Sequence, residues 1–183
     1  MIQFLRNNAL ETLAVICSLL YTVLITDGNI WCWLFSAIAS GAYLFLCIKK
    51  RIYAEALLQL FYLSTTLYGF MHWNQDAVGN KDLLPFQFHM WIVFSGAMLL
   101  LISGYMLKRL TDAASPYLDS FTTIYSVFAT MLMINLYTDN WFYFIVIDAV
   151  SIILYYRRGL YLTAALFGIY TLLAIRGLLL WIN

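Results

Sequence analysis

Seven long apolar stretches, each separated from the next by a short polar or charged segment, dominate the 183-residue sequence. They cover residues 9–25, 30–48, 53–73, 86–107, 119–137, 141–156 and 160–181. A helix needs about 20 apolar residues to cross the hydrocarbon layer of a bilayer. Within lipid every backbone polar group must be bonded inside the segment, and these continuous runs lack the alternation of barrel strands. The sequence therefore predicts an all-α integral membrane protein with seven transmembrane helices.

The composition agrees with a chain that is covered by lipid. Hydrophobic residues make up 64% of the sequence and charged residues 10%, whereas soluble domains carry about 25% charged residues. One soluble core of this size cannot bury so much apolar surface, because surface grows too fast relative to volume. The formal net charge of +1 gives no support to a polyanionic partner, so nucleic-acid binding is not expected.

The lysine and arginine residues predict the orientation of the spans. Seven spans place the amino terminus and the second, fourth and sixth connections on one side of the membrane. The opposite side carries Lys81 alone, and Arg176 lies inside the last span. The first side carries eight basic residues: Arg6, Lys49, Lys50, Arg51, Lys108, Arg109, Arg157 and Arg158. Because cytoplasmic connections are enriched in Lys and Arg, we expect a cytoplasmic amino terminus and an external carboxyl terminus.

An internal repeat appears when the sequence is compared with itself at a displacement of 108 residues. Shared apolar composition would match a few leucines, but would not readily match pairs of Trp, Tyr and Gly. Eight positions between residues 33 and 73 are identical without a gap: Trp33/Trp141, Leu46/Leu154, Tyr53/Tyr161, Ala56/Ala164, Leu58/Leu166, Tyr62/Tyr170, Gly69/Gly177 and Trp73/Trp181.

The repeat predicts a 3+1+3 arrangement of helices. Residues 1–74 form the first three-helix repeat, residues 75–115 a linker with one connecting helix, and residues 116–183 the second repeat. Because three is odd, the connecting helix gives the repeats the same orientation. Transporters built from parallel repeats bind their solute near the midplane, where the repeats meet. The pattern therefore favours alternating-access transport of a small solute over a receptor or a scaffold.

Polar residues inside the apolar spans are candidate solute ligands. Asp148 lies near the middle of the sixth span, and three interpretations stay open: a counter-charge for a cationic solute, a proton site, or a hydrogen bond between helices. Gln59 lies in the third span on one helical face with Tyr62 and Gly69. Its amide suits either a solute or a neighbouring helix. Tyr62 suits either a cavity wall or helix packing.

Tryptophan residues mark both ends of equivalent spans. Trp33 and Trp141 begin theirs near the predicted external face. Anchoring at the lipid interface and stacking on a flat or cationic solute are the alternatives there. Trp73 and Trp181 end spans on the same side, and we expect them in the aromatic belt.

Catalytic, cofactor and metal-binding motifs are not evident. The sequence lacks H-E-x-x-H, a Gly-rich phosphate loop and a nucleophile elbow. Cys17, Cys32 and Cys47 fall in apolar stretches without C-x-x-C spacing, which is typical of packing residues. His72 and His89 flank the longest polar connection without metal-ligand spacing. We expect no enzyme activity, no cofactor and no metal.

Several segments form a pattern through their order and spacing. They are residues 53–62 with Tyr68-Gly69 and Trp73, residues 118–123, Asn140-Trp141 followed by Asp148, Gly159-Leu160-Tyr161, and residues 177–181. Together they resemble the PnuC family of bacterial vitamin transporters over most of the chain. Two positions depart from that family, which often carries Asn in place of Asp148 and Trp in place of Phe144.

The resemblance implies a 3+1+3 fold related to the SWEET sugar exporters, with the opposite topology, and a homotrimer in the bacterial inner membrane. It implies facilitated diffusion of nicotinamide riboside, which a cytoplasmic vitamin kinase traps by phosphorylation. The residues that match the family pattern are Gln59, Asn140, Trp141 and Asp148. Relatives carry thiamine or riboflavin, and thiamine stays an alternative because it also combines a flat ring with a fixed positive charge.

Other classes of protein remain as rivals. The substrate-binding subunit of an energised vitamin importer would be similar in size, but such subunits usually have six spans and an Ala-x-x-x-Ala motif in the first. Residues 9–25 contain no such motif. A membrane-embedded enzyme and a purely structural membrane subunit are further alternatives. The structural subunit leaves Asp148 and the repeat unexplained.

Overall fold

Seven α-helices run through the residues that the computed structural model describes, which are 9–49, 53–73, 83–111, 114–157 and 161–182. The prediction of an all-α chain with seven helices is confirmed for these residues. The basic residues Arg6, Lys50, Arg51, Lys81 and Arg158 lie outside them. The helices are α1 (Ala9–Thr26), α2 (Cys32–Lys49), α3 (Tyr53–His72), α4 (Phe86–Leu110), α5 (Pro116–Ile134), α6 (Asn140–Arg157) and α7 (Tyr161–Ile182).

One helix lies about a turn upstream of its predicted position. The sequence predicts the fifth span over residues 119–137, whereas α5 covers Pro116–Ile134. Pro116 stands in the first turn of the helix, where its missing N–H and its restricted φ are well tolerated. At the other end Leu136 has a φ of 64°, which is incompatible with a continuing right-handed helix.

The helix surfaces suit a lipid environment. By length and apolar composition, α4, α5 and residues Ala164–Ile182 of α7 are able to cross a membrane, and Thr12–Thr26 and Cys32–Leu46 are shorter apolar helical segments. In α4 the buried residues are Gly96 and Gly104, while large apolar side chains such as Trp91 are exposed. Exposed apolar surface on this scale is unusual for a protein in water.

The helices belong to two compact units, Met1–Asp76 and Ala77–Asn183. In the first unit α2 packs against both α1 and α3. In the second unit each helix from α4 to α7 packs against the next one along the chain. The connecting helix α4 thus belongs to the same unit as α5, α6 and α7. The division into repeats with boundaries at residues 74 and 116 stays a prediction.

Corresponding turns in the two units have the same backbone geometry. The turn after α1 places Gly28 in the left-handed region with a φ of 68°, and the turn after α5 places Leu136 there with a φ of 64°. The Gly28 N–H donates to the Ile25 carbonyl at 3.1 Å, and the Leu136 N–H donates to the Met133 carbonyl at 2.9 Å. Each pair of residues is displaced by 108 positions. These equivalences support the predicted repeat.

A buried hydroxyl pair joins α2 to α3 in the first unit. The Ser36 and Thr66 hydroxyl oxygens are 2.7 Å apart. Since the Thr66 hydroxyl donates to the Tyr62 carbonyl at 2.8 Å, Ser36 is the donor in the pair. The bond therefore connects α2 to α3 inside the first unit.

Removing this bond is expected to have a modest effect. Ser36→Ala should lower the free energy of unfolding by about 0.5–1 kcal/mol, because hydrogen bonds between membrane helices contribute about that much. Thermal unfolding of the detergent-purified protein measures the effect. Ser64→Ala is the matched control, since Ser64 is exposed and donates to Leu60 within its own helix. Equal effects of the two substitutions would contradict the prediction.

Candidate functional site

Trp33 lies in a closed aromatic cluster in the first unit. The side chain is 2% exposed, and its ring meets that of Trp73 edge to face at 5.5 Å. A β-carbon on Gly69 would overlap the Trp33 ring, so the glycine provides the space that the indole occupies. The Trp73 indole N–H donates to the Gly28 carbonyl at 3.0 Å. The cluster of Trp33, Gly69 and Trp73 therefore connects α2, α3 and the turn after α1.

The second unit contains the equivalent cluster of Trp141 with Gly177 and Trp181. The Trp141 ring is 5.3 Å from that of Trp181, at an interplanar angle of 87°. A β-carbon on Gly177 would lie 2.6 Å from two atoms of the Trp141 indole. The Thr138 hydroxyl donates to the Trp181 carbonyl at 3.4 Å. Each member of this cluster follows its counterpart in the first cluster by 108 residues.

Burial corrects part of the prediction for the tryptophans. Trp33, Trp141 and Trp181 are all buried within their units, so anchoring of these three in a lipid-facing aromatic belt is wrong. A belt residue requires an exposed ring at the interface, whereas Trp33 and Trp141 fill space that glycines leave open and Trp181 packs on Trp141. Stacking of Trp33 or Trp141 on a solute stays a prediction.

Three of the predicted site residues hold a buried polar atom with no hydrogen-bond partner among the described residues. The Asn140 side chain is fully buried, and its amide nitrogen donates to the Tyr137 carbonyl at 2.6 Å. Its amide oxygen has no partner there, and neither do the indole nitrogens of Trp33 and Trp141. Unpaired buried polar atoms are uncommon in native proteins. A bound solute with polar groups is one way to pair them.

Gln59 and Tyr62 lie on α3. Gln59 and Gly69, which the sequence predicts on one helical face with Tyr62, are buried, and Tyr62 is half-buried. The Tyr62 carbonyl accepts a hydrogen bond from the Thr66 hydroxyl. The Tyr62 ring lies 5.8 Å from the ring of Phe61. The amide of Gln59 is thus enclosed on the side of α3 that faces the rest of its unit.

Asp148 lies halfway along α6, on the same side as Trp141 and Ser151. All three are buried, and Asp148 is separated from Trp141 by about 10 Å along the axis, at 1.5 Å per residue. Its carboxylate makes no hydrogen bond or ion pair with a described residue. A carboxylate in a membrane helix requires a partner or water. The described residues thus provide no partner for a hydrogen bond from Asp148 to another helix.

The structure adds a short contact between a carboxylate and a histidine that the sequence did not indicate. Asp139 lies 3.0 Å from His89, and the other ring nitrogen of His89 is 2.8 Å from the Tyr143 hydroxyl. Asp139 reads as a turn residue in the sequence, and His89 lies 50 positions before it. The sequence marks Asp139 as interesting only because it is next to Asn140. That position does not identify His89 as the partner of Asp139.

The described residues offer no candidate group for a metal ion. They contain no group of three His, Cys, Asp or Glu side chains close enough to hold a metal ion. Cys17 and Cys32 are buried and unpaired, and the side chain of Cys47 lies outside the described residues. The buried polar side chains at the candidate site are amides, indoles, hydroxyls and one carboxylate, which suit a small organic solute.

The fold is that of a solved multi-pass membrane transporter. The chain superposes on the crystal structure of the vitamin B3 transporter PnuC with a TM-score of 0.77 and 23% identity, covering 97% of this chain and 82% of that one. The model of the nicotinamide mononucleotide transporter family matches residues 8–183. The chain belongs to this family of membrane transporters.

Curated relatives agree with the family assignment. The nicotinamide riboside transporter PnuC of Escherichia coli strain K12 is 23% identical, over 95% of this chain and 85% of the relative. The protein of the same name from Neisseria mucosa is 27% identical, over 83% of this chain and 61% of the relative.

Proposed function

We propose that this protein carries nicotinamide riboside across the bacterial inner membrane by facilitated diffusion. The family match over residues 8–183 and the names of the relatives support this substrate. The observation that carries the proposal is Asp148, a buried carboxylate in mid-membrane without a described partner. Nicotinamide riboside has a fixed positive charge on a flat ring, which is the complement that such a carboxylate requires.

The buried residues favour the riboside over the mononucleotide. A phosphate group is usually bound by Arg or Lys, or by the N-terminus of a helix. No Lys or Arg belongs to the buried polar side chains of the described residues, which comprise Thr26, Ser36, Ser40, Gln59, Thr65, Thr66, Ser120, Ser126, Thr130, Thr138, Asp139, Asn140, Asp148 and Ser151. A cationic solute without phosphate fits this set better.

The predicted site residues of the second unit have roles in the proposal. Asp148 faces the positive ring and Asn140 bonds the carboxamide or a ribose hydroxyl, while Gln59 stays a candidate ligand in the first unit. The free amide oxygen of Asn140 suits a hydroxyl or amide donor. Trp141 contributes aromatic surface to the ring, and Trp33 and Tyr62 stay candidate ligands in the first unit.

The proposal extends to the setting of the transporter. The distribution of basic residues supports a cytoplasmic amino terminus and an external carboxyl terminus. The family resemblance implies a homotrimer, as well as a cytoplasmic kinase that phosphorylates the arriving vitamin. Phosphorylation would trap the product and keep a downhill gradient for diffusion.

Calorimetric titration of the detergent-purified protein tests the substrate. Nicotinamide riboside, nicotinamide mononucleotide, thiamine and riboflavin are titrated in parallel. We expect nicotinamide riboside to bind with a Kd of about 1 μM or below, near −8 kcal/mol, and the mononucleotide to bind far more weakly. Binding of thiamine alone would favour the alternative cargo, and binding of none of the four would contradict the proposal. Uptake by liposomes that contain this chain alone would exclude a binding subunit that needs an energising partner.

A further inference from the structure

A buried carboxylate in the turn before α6 connects this turn to the start of α4. The Asp139 side chain is 2% exposed. One of its oxygens lies 3.0 Å from Nε2 of His89, and the other accepts the Leu84 backbone N–H at 3.0 Å. Nδ1 of His89 is 2.8 Å from the Tyr143 hydroxyl, and the two rings are stacked at 5.9 Å. We refer to Asp139, His89 and Tyr143 as the polar brace.

The polar brace holds the start of α4 at two points. Leu84 precedes α4 and His89 lies in its first turns, and both donate to the same carboxylate. Hydrogen bonds to an ionised carboxylate are stronger than those between neutral groups. Removal of the His89 donor would leave part of a buried charge unpaired, which is unfavourable. The brace is therefore a rigid connection within the second unit.

The turn that carries the brace is also strained. Leu136 is in the left-handed region, which is unfavourable for a residue with a β-carbon. Such conformations persist where the surrounding structure over-determines them, and they are often found at functional sites. The equivalent turn of the first unit has Gly28 instead, and an exposed Trp31 at the position of Asp139. The turn at Leu136 thus has both the strained backbone and the polar brace. The equivalent turn at Gly28 has neither.

The residues that follow the brace in the chain are Asn140 and Trp141, both predicted solute ligands. The Asn140 amide nitrogen bonds to Tyr137 within the same turn, so the direction of its unpaired oxygen depends on the conformation of this turn. We infer that the polar brace positions Asn140 and Trp141 for the solute, with Asp139, His89 and Tyr143 as positioning residues that do not touch it. This inference rests on the proposed function.

Substitutions at His89 separate bonding from packing. His89→Phe keeps a ring against Tyr143 but removes both polar contacts, whereas the amide of His89→Gln is able to donate to Asp139. We expect the Kd for nicotinamide riboside to rise about tenfold in His89→Phe and to stay within about threefold of wild type in His89→Gln. The matched control is His72→Phe, because His72 is exposed and contacts Tyr68 of its own helix. The control should leave the Kd unchanged.

Hydrogen exchange gives a readout that does not need a ligand. The backbone amides of Leu84 and of residues 136–141 should exchange at least about tenfold faster in His89→Phe than in wild type, because local opening of the turn becomes easier. Unchanged exchange rates in His89→Phe would show that the polar brace does not stabilise the turn. Faster exchange with an unchanged Kd would show that the brace does not position the solute ligands. If the wild type binds no vitamin, the proposed function fails, and exchange alone decides whether the brace holds the turn.

A milder variant keeps the inference testable if His89→Phe does not fold. Tyr143→Phe removes a single hydroxyl from the brace and leaves the Asp139–His89 pair in place. We expect a Kd increase of about threefold, with faster exchange confined to the same amides. A Tyr143→Phe protein with wild-type affinity and wild-type exchange would overturn the role of this residue.

Discussion

Gly177→Ala is expected to raise the Kd for nicotinamide riboside by more than about tenfold and to lower stability by about 1–3 kcal/mol. The new β-carbon would lie 2.6 Å from the Trp141 indole. The ring has little room to retreat, because it is 2% exposed and meets Trp181 edge to face. The substitution must therefore shift Trp141 or separate α6 from α7. Calorimetric titration and thermal unfolding in detergent measure the two effects.

The same helix supplies the control for this prediction. A β-carbon at Gly168 would meet nothing within 4 Å. Gly168→Ala is therefore expected to leave binding unchanged and to stabilise α7 by up to about 1 kcal/mol, since alanine is the better helix former. In the first unit Gly69→Ala should act as Gly177→Ala does, because its β-carbon would overlap Trp33. Identical behaviour of Gly177→Ala and Gly168→Ala would refute the role of the Trp141 cluster.

Asp148→Asn is expected to weaken the binding of nicotinamide riboside about tenfold, close to 1.4 kcal/mol. The asparagine keeps the size and a hydrogen-bonding oxygen but removes the negative charge. The affinity for the reduced riboside, which has a neutral dihydropyridine ring, should fall less than about twofold, because this ligand has no fixed charge for the carboxylate to face. Titration of wild type and variant with both ligands measures the difference between the two losses.

Ser151→Ala is the matched control for the effect at Asp148. Ser151 lies on the same side of α6, three residues further along, and is also buried. Its loss should affect the cationic and the reduced riboside to the same small extent. If Asp148→Asn also weakens both ligands equally, the carboxylate does not act as a counter-charge. A structural role of Asp148 in α6 would then explain the loss.

Much of the fold follows from local patterns in the sequence. The apolar runs located all seven helices, because the length of a span is set by the thickness of the membrane and appears directly in the sequence. The displacement of 108 residues paired Trp33 with Trp141, and these residues occupy equivalent clusters. The start of α5 was predicted at Asp119, three residues too late, because proline often ends a helix, whereas Pro116 begins this one.

The parts that the sequence did not reveal depend on contacts between distant residues. The pairing of His89 with Asp139 joins the start of α4 to the turn before α6, and no spacing rule connects these positions. The buried Trp181 packs edge to face on Trp141, whereas the sequence shows only a Trp at the end of a span. The left-handed Leu136 was equally hidden, because leucine rarely adopts this conformation.

The turns at Gly28 and Leu136 have a consequence for the history of the chain. A glycine accounts for the left-handed conformation in one half, yet the other half keeps this conformation with a leucine that is buried. The two turns thus share a backbone shape although their amino acids differ, as expected if both segments descend from one duplicated ancestor. Glycine to leucine exchanges, usually disruptive at such positions, become tolerable once neighbouring contacts hold the loop. Comparison of such halves should therefore rely on dihedral angles as well as on residue identity.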